Sequence, residues 1–192
     1  KLIKLIAMSL KELINFIIMK KLILLLLFIP IVSFGQNKSF NTYNSNKINT
    51  NVVSQQSINT FNKGNEYYNI ADYDNAIIQY SKSIDIDKKN NLINTDAFIN
   101  RANSMVQMND FDNALKDLGI VINNESDIEY LTIAYSLRAS IYGNNGRFIE
   151  ALSDIENSLK LNPNDVNTIY NKARLQIVQK KYKEGIITLE IV

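Results

Sequence analysis

The amino-acid sequence predicts an all-α protein built as a superhelical stack of helix–turn–helix repeats, an α-solenoid. A pattern of one aromatic and two small residues recurs four times within residues 57–192. Apolar residues between these positions follow the spacing of one face of an α-helix. The 192 residues contain only two prolines and six glycines, a composition that favours long regular helices.

The N-terminal region predicts an export signal. Residues 19–35 begin with Met19 and contain Lys20 and Lys21, which an apolar run of about 11 residues follows. Two small residues then stand three and one positions before a predicted cleavage site at Gln36, as in secretory signal peptides. The run is shorter than the ~20 residues of a membrane-spanning helix. We therefore expect a periplasmic or extracellular protein, membrane-anchored if the signal is not cleaved, that otherwise contacts the membrane only transiently through this segment.

Two further segments flank the predicted signal. Residues 1–18 precede a natural start at Met19 and have two interpretations: upstream sequence translated with the gene, which we favour, or an amphipathic helix on a membrane surface. Residues 36–56 are dense in Asn, Ser, Gln and Thr and show no sustained helical or strand period. Such a segment cannot bury enough apolar surface to offset its ordering entropy, so we predict a disordered polar linker.

Four repeats follow the linker, at residues 57–94, 95–131, 132–165 and, incomplete, 166–192. Three features keep the same register in each copy. The first small residues are Gly64, Ala102, Ala139 and Ala173; the aromatic residues are Tyr73, Phe111, Phe148 and Tyr182; the second small residues are Ala76, Ala114, Ala151 and Gly185. The copies are spaced 34 to 38 residues apart, which predicts one helical hairpin per copy.

Helix packing gives this pattern a physical reason. Apolar residues such as Ile77, Tyr80 and Ile84 fall on one helical face. Two antiparallel helices approach closely where a small residue such as Gly64 faces Ala76, and the aromatic residue fills the wedge between units. One hairpin cannot cover its own apolar face, so the hairpins are expected to stack in chain order.

The copy at 132–165 has Tyr135, Ala139, Tyr142, Ala151 and Pro163 at characteristic places. This pattern resembles the tetratricopeptide repeat, a helix–turn–helix unit of about 34 residues. The resemblance covers residues 57–192 and implies a right-handed superhelix whose first helices line a concave groove. The usual Trp of the family is absent. Inserts near 88–94 and 123–130 predict longer turns between the first three repeats.

The resemblance also implies where a peptide would bind. Carried over position by position, the expected groove contains Phe61, Asn65, Tyr68, Ile99, Asn103, Val106, Ser136, Ser140, Tyr170 and Arg174. A column of polar groups at one repeated position would hydrogen-bond an extended backbone, and the aromatic residues would hold apolar side chains. The carboxylate clamp of chaperone-tail binders is not expected, since its basic places in the first three copies hold Phe61, Ile133 and Leu137.

Residue types that the chain lacks exclude several kinds of chemistry. It has no Cys and no His, which excludes disulfides, Cys/His zinc sites and catalysis by a His base. The pairs Asp72/Asp74 and Asp110/Asp112 are candidates for metal ligands or for the catalytic carboxylates of a glycosidase. They lie in predicted turns, however, where Asp commonly caps a helix. We therefore expect no catalytic residue, no metal and no cofactor, and a protein that is not an enzyme.

The charge distribution argues against a nucleic-acid partner. The formal net charge is +2, but residues 1–35 hold five Lys and one Glu, which leaves 16 basic and 18 acidic residues in the rest of the chain. Four basic residues recur at one helical position, Lys63, Arg101, Arg138 and Lys172. Either their charged groups form a row that binds an acidic ligand or, as we prefer, their aliphatic stems cover apolar surface between helices.

These observations predict a non-catalytic scaffold that is exported from the cytoplasm and binds a protein or peptide in its concave groove. The alternative is that the repeats form the N-terminal sensory or scaffolding region of a larger membrane-bound signalling enzyme, truncated at Val192. A third hypothesis is sugar binding through Tyr68 and Tyr170.

Overall fold

The structure, a computed structural model, describes residues 55–190; the predicted segments 1–18 and 19–35 and nearly all of the linker 36–56 lie outside them. The described residues form eight α-helices and no β-strand. They are α1 Gln55–Asn69, α2 Tyr73–Lys89, α3 Thr95–Gln107, α4 Phe111–Asn124, α5 Ile128–Asn144, α6 Phe148–Leu161, α7 Val166–Val178 and α8 Tyr182–Leu189. The predicted all-α solenoid is confirmed.

The helices pack in chain order as four hairpins, α1–α2, α3–α4, α5–α6 and α7–α8. The second helix of each hairpin packs against the first helix of the next. First helices of consecutive hairpins also contact one another, whereas the second helices in the described region make no comparable contact. The first helices therefore lie on the inner side of the stack, which is where the resemblance placed the groove.

The four turns inside the hairpins share one backbone geometry. Each places a residue in the left-handed region five positions before the second small residue: Ala71, Asn109, Gly146 and Lys180, with φ between 60° and 72°. The next residue's N–H reaches back to the carbonyl five residues earlier, as Asp72 does to Tyr67 at 2.9 Å. This pattern is the Schellman motif, which satisfies the last carbonyls of a helix and fixes where the chain reverses.

The predicted inserts extend helices instead of lengthening turns. The first insert lengthens α2 by about one turn, to Lys89, and the second starts α5 one turn early, at Ile128. Only three residues then separate α4 from α5, so the expected long turn near 123–130 is wrong. Asp127 caps the early start of α5 by accepting a hydrogen bond from the Glu129 N–H at 2.9 Å, which stabilises the extra turn.

Helix α1 starts at Gln55, so it includes the last two residues of the predicted linker. The Gln55 amide donates to Asn59 Oδ1 one turn later at 2.9 Å. A side-chain bond at this spacing supports a helix although the local composition is polar.

The apolar core runs between the hairpins. In the first hairpin the rings of Phe61 and Tyr80 meet with their centroids 5.7 Å apart, and both side chains are fully buried. Gly64 faces Tyr80, and not Ala76 as the sequence suggested, because the Tyr80 ring occupies the space above the glycine. Ala102 and Leu118 hold the corresponding buried positions in the second hairpin, where a smaller side chain leaves room for a Cβ.

Buried polar side chains join the first hairpin to the second. Ser57 Oγ donates to Asp87 Oδ2 at 2.7 Å, and Asn94 donates to the same carboxylate oxygen at 2.6 Å. Asn94 Oδ1 also accepts from the Ala97 N–H, so one amide both caps α3 and binds the end of α2. Because buried polar groups must be paired, this network fixes the relative position of the two hairpins.

Candidate functional site

Five of the ten residues predicted to line the groove are buried within the stack. Phe61 and Ile99 are 0% exposed, and Val106, Asn65 and Ser136 are 5–9% exposed. Phe61 and Ile99 belong to the apolar core of the first two hairpins. Side chains as buried as these pack within the stack and are not on its surface.

The two buried polar residues of this group connect successive repeats. Asn65 Oδ1 accepts from the Tyr80 hydroxyl at 2.8 Å and from Asn100 Nδ2 at 3.0 Å. In the later repeats, Asn171 Nδ2 donates to the carbonyl oxygen of Ser136 at 3.1 Å. Asn65 of the predicted polar column, together with the amides of Asn100 and Asn171, therefore holds one first helix to the next.

The other five predicted residues are half-buried on the first helices, and we call them the inner face: Tyr68, Asn103, Ser140, Tyr170 and Arg174. The Tyr68 ring packs edge-on against Tyr73, with centroids 5.5 Å apart. Burial raises the pKa of the Tyr68 and Tyr170 hydroxyls, so both stay neutral donors at physiological pH. Neutral phenols with half-covered rings suit contacts to peptide side chains and carbonyls.

A cleft opens on the inner face between α5 and α7. The cleft is small, with enclosed space for only about one water molecule. Small residues form one wall, among them Ala139, Ser140 and Gly143, and Asn171 and Arg174 stand opposite. The cleft exists because Gly143 has no side chain at a position where the other repeats carry Tyr68, Val106 and Ile177.

Some residues of this surface were missed by the sequence reasoning. Asn100 and Asn171 link the repeats, and Gly143 creates the cleft. A sequence signal existed for the two amides, because both lie two residues before the first small residue of their repeat, where Asn62 stands in the first copy. Gly143 gave no such signal, because the equivalent position of the other repeats holds a large side chain and a single glycine forms no repeated pattern.

The recurring basic position does not form a ladder for a ligand. Arg101 binds Asp117 through two hydrogen bonds of 2.7 Å, and Arg138 binds Asp154 through bonds of 2.7 and 2.8 Å. Both are bidentate pairs between the two helices of one hairpin. The Asp154 bond raises the pKa of Arg138.

The guanidinium groups of the same two arginines also lie over aromatic rings of their own helices. The Arg101 guanidinium lies 5.4 Å from the centroid of the Phe98 ring. Arg138 lies 5.7 Å from the centroid of the Tyr135 ring. The cation–π contacts and the ion pairs together give the basic residue of the second and third repeats a structural role without a ligand.

Of the turn carboxylates, Asp72 has the capping role that its position suggested. Asp72 is the N-cap of α2, and its Oδ1 accepts from the Asn75 N–H at 3.3 Å. Asp110 holds the same place before α4, where its carboxylate accepts from the Asn113 side chain instead. Within residues 55–190 no three metal-binding side chains come together.

The helices described here are also too short or too polar to cross a membrane.

Comparison with known protein families gives two matches. The family model described as tetratricopeptide repeat matches residues 61–90. The model described as anaphase-promoting complex, cyclosome, subunit 3 matches residues 123–192. The prediction of tetratricopeptide repeats is confirmed by the first match and by the fold.

Two individual proteins resemble this chain. The DnaJ homolog subfamily C member 7 homolog of Schizosaccharomyces pombe is 28% identical over 125 residues, which is 65% of this chain but only 26% of that protein. The NMR structure of the second TPR domain of human RPAP3 is 25% identical, with a TM-score of 0.55, and the match covers 63% of this chain and 95% of that domain. That domain was solved in complex with the HSP70 peptide SGPTIEEVD.

Proposed function

We propose that this chain is a non-catalytic scaffold that binds a protein partner through an extended peptide laid along the inner face. The observation that carries the proposal is that the first helices of all four repeats share one side of the stack and expose aromatic and polar side chains there. A curved surface of this kind holds an extended chain by backbone hydrogen bonds and a few aromatic anchors.

The similar RPAP3 domain supports the proposal because it holds a bound peptide on the same type of fold. Fold alone does not determine function, so the support comes from the site as well. Here Tyr68 and Tyr170 supply half-exposed rings near the two ends of the surface, and Asn103 supplies an amide between them. Their spacing over several repeats fits a ligand that runs along the stack.

The test is selection of random dodecapeptides on the full chain, followed by affinity measurement of enriched peptides by fluorescence anisotropy. We expect Tyr170→Ala and Asn103→Ala to weaken binding about tenfold, the loss of one well-placed contact. Ile149→Ala is the control, because Ile149 is 83% exposed on a second helix. The proposal fails if no peptide is enriched, or if the inner-face variants bind as tightly as the control.

We further propose that the chain is exported, which rests on the sequence of residues 19–35 alone. Expression from Met19 in a Gram-negative host should give a periplasmic product whose mass corresponds to an N-terminus at Gln36. Replacing Lys20 and Lys21 by Glu should retain the chain in the cytoplasm, because the positive region starts translocation. Retention of the unaltered chain with residues 19–35 attached would refute export.

A further inference from the structure

The turns inside the four hairpins line one edge of the stack. We call them the turn edge, which consists of residues 70–74, 108–112, 145–149 and 179–183. The hairpins pack in chain order and reverse through the same backbone geometry, so successive turns lie side by side. Their charges also act on one another: the bond to Glu150 raises the pKa of Arg147, and the charge of Asp112 on the preceding turn raises it further.

The net charge of the turn edge changes sign along the stack. The turns of the first two repeats each carry two Asp and no basic residue, which gives each a net charge of −2. The third turn carries one charged residue, Arg147, which pairs with Glu150 at 2.8 Å. The fourth turn carries three Lys and no acidic residue, a net charge of +3. An acidic end, a balanced middle and a basic end therefore follow one another along a single edge.

One repeated position shows this order most simply. The second residue of each second helix is, in chain order, Asp74, Asp112, Ile149 and Lys183, and all four are exposed. Within residues 55–190 the side chains of Asp112 and Lys183 form no hydrogen bond and no ion pair. Both charges face solvent, so a second molecule can reach them.

Each turn also exposes one large apolar side chain, namely Ile70, Met108, Ile149 and Tyr182. Ile149 is the most exposed of them, at 83%, and it stands in the turn whose charge is balanced. Single exposed apolar side chains are common on protein surfaces and by themselves identify no partner. Here the order of the charges on either side of Ile149 identifies one.

We propose that the turn edge binds the turn edge of a second copy of this chain, in an antiparallel dimer with two-fold symmetry. The axis passes beside Ile149, so that the two Ile149 side chains meet and Asp112 of each copy faces Lys183 of the other. A two-fold interface needs a surface that is complementary to itself. The second and fourth turns flank the third, so one axis forms both charge pairs at once.

The same charges disfavour the other ways of joining two turn edges. Parallel copies would set each turn against its own equivalent, which places acid against acid and base against base. An axis between the second and third turns would place Asp112 against Ile149, where a carboxylate loses water without gaining a partner. Self-association through the turn edge leaves the inner face open, so it neither requires nor prevents the proposed peptide binding.

Sedimentation velocity of the full chain over a wide concentration range measures the dimer. We expect a monomer–dimer equilibrium that added sodium chloride weakens, because salt screens exposed charges. Asp112→Lys and Lys183→Glu should each raise the dimer Kd at least about tenfold, since symmetry makes every substitution act twice. Both positions are exposed, so circular dichroism should show an unchanged helix content.

An equimolar mixture of Asp112→Lys and Lys183→Glu tests the pairing itself. In the mixed dimer the two substituted positions face each other, and so do the two unaltered ones, so both contacts again join opposite charges. We expect the mixture to dimerise within about threefold of the unaltered chain, while each variant alone stays weak. Residues 1–54 are the same in every sample, so association through them would not respond to these changes.

Two matched controls are available on the same molecule. Asp74→Lys makes the same charge reversal at the same repeated position, but in the first turn, which lies outside the overlap. It should leave the dimer unchanged and should not restore Lys183→Glu in a mixture. Ile149→Asp should raise the dimer Kd at least about tenfold, because two like charges then meet at the axis. Ile78→Asp, at an exposed position farther along α2, should have no effect.

Three results would overturn the dimer. A full chain that stays monomeric up to millimolar concentration would remove it, as would self-association that neither charge reversal weakens. A mixture of Asp112→Lys and Lys183→Glu that dimerises no better than its components would show that these residues do not pair. Restoration of Lys183→Glu by Asp74→Lys instead would refute the axis beside Ile149.

Discussion

Gly64 and Tyr80 occupy a single space between the two helices of the first hairpin. A Cβ added to Gly64 would lie 2.6 Å from Tyr80 Cε1, closer than nonbonded atoms approach. The Tyr80 ring cannot move aside, because it packs against Phe61 and its hydroxyl donates to Asn65 at 2.8 Å. The first repeat therefore needs a glycine where the other repeats carry alanine.

Gly64→Ala is expected to destabilise the full chain by about 1 to 2 kcal/mol, since overpacking outweighs the gain in helix propensity. Gly143→Ala is the matched control: its Cβ would meet nothing closer than 3.9 Å, so we expect a gain of up to about 1 kcal/mol. Urea unfolding measures both. Gly64→Ala should cost less in a Tyr80→Leu background, which reproduces the Ala102–Leu118 pair; additive effects would contradict the shared-space explanation.

The left-handed residues in the turns predict a second stability difference. Ala71 has φ of 60°, where a Cβ costs about 1 kcal/mol, so Ala71→Gly should stabilise the chain by that amount. Asn109→Gly should gain less, because Asn tolerates this region. Gly146→Ala should lose about 1 kcal/mol, since Gly146 has φ of 72°. Thermal unfolding of the three variants gives the order, and a loss for Ala71→Gly would refute the motif.

Two aspartates that stand at the N-cap of a helix differ in their bonds and should differ on mutation. Asp165 accepts from both the N–H and the hydroxyl of Thr168, at 2.8 and 2.6 Å. Asp110 accepts no backbone N–H as the cap of α4. We expect Asp165→Ala to cost about 1 kcal/mol or more, the usual value of an N-cap, and Asp110→Ala to cost clearly less. Equal losses in urea unfolding would show that the capping bond is not the cause.

The Arg101–Asp117 pair predicts a pH-dependent effect. Burial raises the pKa of Asp117 even though the Arg101 bond lowers it. Arg101→Met leaves that carboxylate buried without its cation, so we expect a loss of about 3 kcal/mol at pH 7. The double variant Arg101→Met/Asp117→Leu should recover most of it, because no buried charge then remains.

The sign of the pH effect follows from that pKa. In Arg101→Met the folded-state pKa of Asp117 rises further above its unfolded value, so protonation favours the folded chain. The stability deficit should therefore shrink as the pH falls through the folded-state pKa. Arg147→Met, at an exposed pair, should show no measurable loss at pH 7. A deficit that stays constant with pH would exclude the unpaired carboxylate as its cause.

The repeats could be predicted because the residues that define each hairpin lie close together in the sequence. Each copy places an aromatic residue and two small residues at fixed separations, and these define a hairpin wherever they occur. The lengths of the helices were less predictable. The inserts form extra helical turns that end at Lys89 and begin at Ile128. Where a helix ends depends on hydrogen bonds of single residues, such as the Asp127 cap, which the spacing of apolar residues does not show.

The candidate surface was predicted only in part, for a reason of packing. The chosen positions are on the first helices, which contact both the second helices and one another. Phe61 and Ile99 consequently became core residues, and Asn65 became a link to Asn100. No single repeat contains the information about what the next repeat covers.

The sequence by itself determined the hairpins and their order, because helical periodicity and small-residue spacing act within some 34 residues of chain. Only the tertiary structure decided which polar groups bind one another. Arg138 binds Asp154 across its hairpin, whereas Arg174 donates to Asn144 of the preceding repeat. Such contacts join residues that are distant in sequence, so the periodicity within one helix does not reveal them.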